Sequence, residues 1–292
     1  MLNSECDILR AKRNLEIEEE LQSILDDGGN VWAIGDVHGH ADTLKALIGN
    51  LDLGPLDRVV LLGDLVDRGP KSCEVIRFAR ETSRIFAVKG NHEEMMLDCF
   101  EPDYIEEIGI RQSGWYYVGG RATAQSYIDE FANEDESINH LALRKRAGRD
   151  LSWIDSLPEH LVLDEFRLVH AGYSPSDGVL DEQSSNKLLR IRSEFHNSST
   201  PVDDFRTIVF GHSTLPGFGI PQTEIWFSEP ELENGRHAAI GIDSCCYGGP
   251  DPQLTAFNLQ DGEIVKQRVI LDQTIASTSF IGNIEHCVDE EE

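Results

Sequence analysis

An α/β fold organised around a parallel sheet is the class that the sequence predicts, and three observations predict it. Short β-rich runs recur along the chain: "VWAI", "RVVLL", "RIFAV", "FRLVH", "TIVF" and "AAIGI". Helical patterns separate the first three, which makes a βαβαβ opening. The runs end in Asp, Asn or His, mostly beside a glycine, as strands do where their carboxyl ends line a ligand crevice.

Taken in order, residues from about 5 to 26 read as a helix. Ile17, Leu21, Ile24 and Leu25 share one face, and Gly28–Gly29 stops it. After the first strand, Leu44, Leu47 and Ile48 form an apolar stripe. After the second, Pro70 suits the first turn of a helix carrying Val75, Ile76 and Ala79. Residues 93–157 read as mostly helical, with "DESINHLALRKRAGRD" the clearest piece, and form an insertion that caps the strand ends. The chain after "IDSCCYGGP" reads as strands and turns, and the acidic stretch 284–292 as a disordered tail. With no repeat and no low-complexity linker, residues 1–292 read as a single domain, with 1–28 a helical extension.

Composition narrows the function. Fifty-three acids against 25 bases give a formal charge of −28. Such a surface repels nucleic acids and anionic membranes and attracts divalent cations. No apolar run approaches the roughly 18 residues of a membrane span, and "MLNSECDILRAKRNLEIEEE" lacks the order of a secretory signal. A cytoplasmic protein is expected. The six cysteines show no CxxC pair and read as free thiols.

The strand ends carry the chemistry. "VWAI" runs into "GDVHGH", "RVVLL" into "GDLVDRG", "RIFAV" into "KGNHEE", "FRLV" into "HAGYSP", "TIVF" into "GHST" and "AIG" into "IDS". Asp36, His38, Asp64, Asn91, His170 and His212 are oxygen and nitrogen donors with no thiolate among them, a mix that suits manganese, iron or zinc. Asp36 and His38 are two apart, so on extended backbone they point the same way. Six ligands are too many for one tetrahedral ion and suit two ions sharing a carboxylate. A lone histidine is ordinarily a packed, hydrogen-bonded one, and His40, His140, His160, His196, His237 and His286, which lack this context, read that way.

"GDVHG", "GDLVDRG", "GNHE", "HAG" and "GHS" resemble the metal-dependent phosphoprotein phosphatases of the calcineurin-like metallophosphoesterase superfamily, the bacterial and phage-type members above all. "GGRATAQSY" and "IRSEF" resemble segments of the same group, and the likeness runs from about Val31 to Asn258. The resemblance implies a four-layer α/β/β/α sandwich and a dinuclear site, with manganese the expected ion. Asp36 and His38 would bind the first ion, Asp64 would bridge, and Asn91, His170 and His212 would complete the second. Arg68 and Arg192 would clamp phosphoryl oxygens, with Asn91 beside them and Arg190 the competing choice for the second arginine. His92 would be the general acid, oriented by Asp67. The late loop "GIDSCCYGGPDPQLTAF" departs from the family's spacing, which puts a substrate-contacting role for Tyr247 in question.

The chemistry agrees. Two ions acidify water and stabilise charge on phosphoryl oxygens, arginine forks bind a phosphoryl group bidentately, and a leaving alkoxide needs a proton. Expected substrates are phosphoserine, phosphothreonine and also phosphotyrosine in proteins. Symmetrical dinucleoside tetraphosphate hydrolases share the skeleton and are the alternative: "VDRG" favours the protein phosphatase, whereas "RGP" and "HAG" lean the other way. A metal-binding module that only docks partners is the third reading, and the intact His92, Asp67, Arg68 and six ligands speak against it.

Overall fold

The structure is a computed structural model that describes residues 11–130 and 140–271. Ten strands form two five-stranded sheets among these residues, the two that a four-layer sandwich requires; the parallel core read from the apolar runs makes up part of each. In the first sheet the order is β10 (Ile264–Arg268), β9 (Gln253–Asn258), β1 (Val31–Ile34), β2 (Arg58–Leu61) and β3 (Ile85–Ala87). In the second it is β4 (His160–Val162), β5 (Phe166–Val169), β6 (Thr207–Phe210), β8 (Ala239–Gly241) and β7 (Trp226–Phe227). The parallel expectation holds for β1–β2–β3 and for β5–β6–β8. Antiparallel strands complete each sheet: β9 and β10 beside β1, β4 beside β5, and β7 beside β8.

The pleat explains the layering. Strand side chains alternate between faces. Val31, Ala33 and Val60 meet Leu161, Leu168, Val209 and Ile240 between the sheets. Trp32, Ile34, Val59 and Leu61 turn the other way, onto helices α2 (Ala41–Asn50) and α3 (Ser72–Glu81). Val169, Ile208 and Phe210 turn outward onto α8 (Ser185–Arg190) and α9 (Ser193–His196). Because both faces of each sheet are covered, the central strands read as unbroken apolar runs. The result is the helix–sheet–sheet–helix stack that the resemblance implied.

Helix α1 (Leu15–Asp26) starts later than predicted. Asn14 caps it by accepting from the Ile17 N–H, and residues 11–13 carry no regular structure. What precedes residue 11 lies outside the described residues, as do 131–139 of the insertion and the acidic tail. The described part of the insertion is helical, as predicted: α4 (Asn91–Cys99), α5 (Pro102–Glu107), a wide turn over Tyr116–Gly120, α6 (Arg121–Glu130) and α7 (His140–Ser156). These pieces share one core, in which Phe100, Trp115, Tyr127, Ala147 and Ile154 pack against Val66 and Ile76 of the β2–α3 region. The cap is therefore fixed to the first sheet's helical layer. No helix of the described residues is long and apolar enough to cross a membrane.

Candidate metal centre

The strand ends of both sheets meet in one place. Asp36 and His38 follow β1, Asp64 follows β2, Asn91 opens α4 after β3, His170 follows β5, and His212 follows β6. Asp36, His38, Asp64 and His170 are almost completely buried, and His212 nearly so. Donor atoms of His38, Asp64 and His92 lie within 4.8 Å of one another, as do those of Asp64, His170 and His212. Asp64 belongs to both groups. Its Oδ2 is 3.6 Å from His38 Nε2 and its Oδ1 is 3.3 Å from His170 Nε2. Asp36 Oδ2 lies 4.0 Å from His38 Nε2, and Asn91 Oδ1 lies 2.9 Å from His170 Nε2.

The route to this geometry differs from the one predicted at Asp36 and His38. The pair does not sit on extended backbone. His38 has φ 41°, in the left-handed region. Asp64, Asp67, Arg68, His212 and Cys245 share that conformation, so six of the seven non-glycine residues with positive φ among the described residues cluster here. Such conformations are costly and mark sites held by their surroundings. Glu93 is one such support: its carboxylate accepts from the N–H groups of Asp64, Leu65, Val66 and Gly90 and so ties the β2 loop to the start of α4. Two glycines make room for the ligands. A Cβ on Gly90 would stand 2.3 Å from Asp64 Oδ1, and one on Gly211 2.1 Å from Asp36 Oδ1.

The residues fit metal ions. His38 donates Nδ1–H to Val66 O, and His170 donates Nδ1–H to Leu62 O, each at 2.8 Å, which leaves the Nε2 of each neutral ring without a proton and with its lone pair toward the site. His212 Nε2 is buried with no hydrogen-bond partner, an arrangement that asks for a ligand. Burial pushes His38, His170 and His212 below the ordinary imidazole range, so they are neutral, the form that binds metal. Burial also pushes Asp64 up, but the surrounding imidazoles, His170 foremost, outweigh it once protonated and hold its carboxyl well below the usual range. Burial, with Asp243 and Asp64 nearby, pushes Asp36 well up. A buried set with this much negative character is one that divalent cations relieve.

The phosphate-binding candidates stand at the rim. Arg68 Nη1 is 2.9 Å from His38 Nε2, and its Nη2 is 3.3 Å from His92 Nε2. His92 Nδ1–H donates to Asp67 Oδ2 at 2.6 Å, which joins the predicted acid to its predicted orienting residue. Arg192 reaches His212 O at 3.4 Å and Ser213 Oγ at 3.3 Å, whereas Arg190 pairs with Glu94. Tyr247, which the loop spacing had put in question, lies beneath Arg68, the guanidinium 3.9 Å from its ring centroid, and meets His38 edge-on. His40, His160, His196 and His237 lie outside both donor groups, as expected; His140's side chain and His286 are outside the described residues.

Two kinds of residue were missed. Asp243, after β8, is buried in the site's field, and burial pushes it up to about 6. It follows a strand, like the recognised ligands, and that signal could have found it. Trp115 and Thr123, far along the cap, both hydrogen-bond to Asp67; no local pattern marks Trp115, and Thr123 lies in "GGRATAQSY", a segment that assigned it no role.

The calcineurin-like phosphoesterase family model matches residues 29–257. The chain is 38% identical over 213 residues to serine/threonine-protein phosphatase 2 of Escherichia coli (strain K12), a span of 71% of this chain and 90% of that protein. It is 40% identical over 310 residues to a symmetrical bis(5'-nucleosyl)-tetraphosphatase of Yersinia pseudotuberculosis, covering 82% of this chain and 92% of that one. Among solved structures, one described as a putative diadenosine tetraphosphatase aligns with TM-score 0.53 at 20% identity, over 84% of this chain and 95% of that one, a likeness of fold.

Proposed function

The chain belongs to the calcineurin-like phosphoesterase family of metal-dependent hydrolases, and on that premise we propose that it removes phosphoryl groups from phosphoserine and phosphothreonine in proteins. The observation that carries this reading is the 2.6 Å contact of Asp67 with His92, beside a carboxylate, Asp64, common to two groups of metal donors. It supplies a proton donor for a poor alkoxide leaving group next to the place where attack occurs. The likeness to a bacterial serine/threonine-protein phosphatase over most of both chains supports it.

Asp36 and His38 would hold one ion, Asn91, His170 and His212 the other, and Asp64 both. When bound, a divalent pair supplies Lewis-acid charge and acidifies water, making a nucleophile available near neutral pH. Manganese, iron and zinc suit this donor set, and manganese is the ion we favour. Arg68 and Arg192 bind the phosphoryl oxygens from two sides of the cleft and neutralise their charge. Tyr247 holds the Arg68 guanidinium over its ring. His92 faces the cleft with Nε2 and gives its proton to the departing serine or threonine oxygen, while Asp67 fixes the ring through Nδ1.

The likeness to a symmetrical dinucleoside tetraphosphatase favours a second reading, hydrolysis of a phosphoanhydride between nucleotides. The test is a paired specificity constant. Metal-free protein reloaded with manganese is given a phosphothreonine peptide and diadenosine tetraphosphate in parallel. We expect kcat/KM for the peptide to exceed that for the dinucleotide by at least about tenfold. The opposite order would make the second reading the correct one.

A further inference from the structure

We propose that Trp115 and Thr123, both supplied by the cap, are positioning residues that hold Asp67 so that His92 can deliver its proton. The proposal rests on the reading of His92 as the acid.

Asp67 is fully buried and sits in left-handed backbone. Its carboxylate receives three side-chain donors. Oδ2 accepts from His92 Nδ1–H at 2.6 Å and from Trp115 Nε1–H at 2.8 Å. Oδ1 accepts from Thr123 Oγ1–H at 2.6 Å. Thr123 Oγ1 also accepts the Asp67 N–H at 2.8 Å, so this one side chain grips both ends of the residue. With His92 alone, the carboxylate could turn about its Cβ–Cγ bond and carry the imidazole with it. Donors on both oxygens remove that freedom.

A buried indole N–H ordinarily finds some acceptor, so a satisfied tryptophan is the plain alternative. Two features argue for more. The donors come from separate pieces of the cap and converge on the one carboxylate that already carries the imidazole. The indole is also wedged: a Cβ on Gly120 would lie 2.3 Å from the Trp115 ring, and Phe100 packs edge-on at 5.6 Å. The ring therefore cannot swing its N–H away, and the hydrogen bond is built in by packing.

A group that orients an acid matters most when the leaving group needs a proton. The departing oxygen of a phosphothreonine peptide needs one; p-nitrophenolate does not. We would measure kcat/KM for both substrates with manganese-reloaded protein and take their ratio for each variant, which cancels the amount of folded enzyme. His92→Asn should lower the peptide-to-nitrophenyl ratio by about 10²- to 10⁴-fold, the range of general-acid catalysis. Trp115→Phe, which keeps the ring's bulk, and Thr123→Val, which keeps its shape, should each lower it about tenfold. Thr123→Ser, which restores the hydroxyl, should return it to the wild-type value. If His92→Asn shifts the ratio while Trp115→Phe and Thr123→Val leave it at the wild-type value, the two side chains serve packing alone and the proposal falls. If His92→Asn itself leaves the ratio unchanged, the acid assignment fails and takes the proposal with it.

Discussion

At the scale of single residues, two neighbouring arginines have opposite fates. Arg190 pairs with Glu94 on α4, while Arg192 reaches the backbone oxygen of His212 and the hydroxyl of Ser213 at the cleft. Arg192→Ala should therefore cut kcat/KM on p-nitrophenyl phosphate by about 10²-fold, as loss of a preorganised donor does. Arg190→Ala should change it by no more than about twofold, since its half-buried surface ion pair points away from the donor groups and such a pair contributes little. Equal losses from the two would show that both bind phosphate. The candidate ligand residues were legible because type and position coincide: Asp, Asn and His stand where strands end, beside glycine. Tyr247 was less legible, because spacing in a loop does not say where a ring will stack. Cys246 donates its thiol toward Asp36 O, and burial pushes that thiol well up, which favours the protonated, packed form.

At the scale of elements, the wide turn Tyr116–Gly120 ties the cap to the loop that carries Asp67 and Arg68. Gly119 has φ 132° and its carbonyl accepts the Arg68 N–H at 3.2 Å. A Cβ there would stand 2.9 Å from Arg68 Cγ and 3.1 Å from Asp67 Cβ. Gly119→Ala should strain the turn and push on Arg68 and Asp67 together, lowering kcat/KM by about 10²-fold, the scale of an ångström-level misplacement. Gly148→Ala in α7 is the control, because nothing lies within 4 Å of its Cβ position and helix propensity favours Ala. A Gly119→Ala enzyme as active as the control would show that the turn yields without moving either residue. Helices α2 and α3 were legible from their apolar stripes. The short strands β4 and β7 were not, because two or three residues carry no readable period and exist only by pairing with β5 and β8.

At the scale of the whole molecule, His160 is one source of lost stability in acid that lies away from the candidate metal ligands. His160 is buried in β4, with Nδ1 2.8 Å from Tyr173 Oη and Nε2 unpartnered. Burial first, and then Arg167, holds it down to about 4. In the unfolded chain a histidine titrates near 6.5. Between those values the unfolded state binds more protons, so this group leaves stability untouched above about pH 6.5 and erodes it as pH falls toward 4. Full development of the effect is about 3 kcal/mol. His160→Gln should flatten the fall in urea midpoint between pH 7 and pH 4.5, measured on metal-free protein. Parallel falls in wild type and variant would show that His160 is already charged in the native state.

The sequence by itself determined the α/β class, the run of strand-end motifs and the ligand types, because a strand's apolar run and the residues closing it are adjacent in the chain. It also carried the pairing of His92 with Asp67, through the motifs that hold them. Only the tertiary structure decided which antiparallel strands complete the two parallel cores, since a strand's partner is chosen by packing and backbone pairing across long separations: β1 pairs with β9 more than 200 residues away. It decided that Asp36 and His38 meet through a left-handed turn, because φ at His38 is imposed by the Asp64 loop whose carbonyl its N–H engages. It also decided which donors secure Asp67, since Trp115 and Thr123 come near that carboxylate only when the cap packs onto the β2–α3 layer.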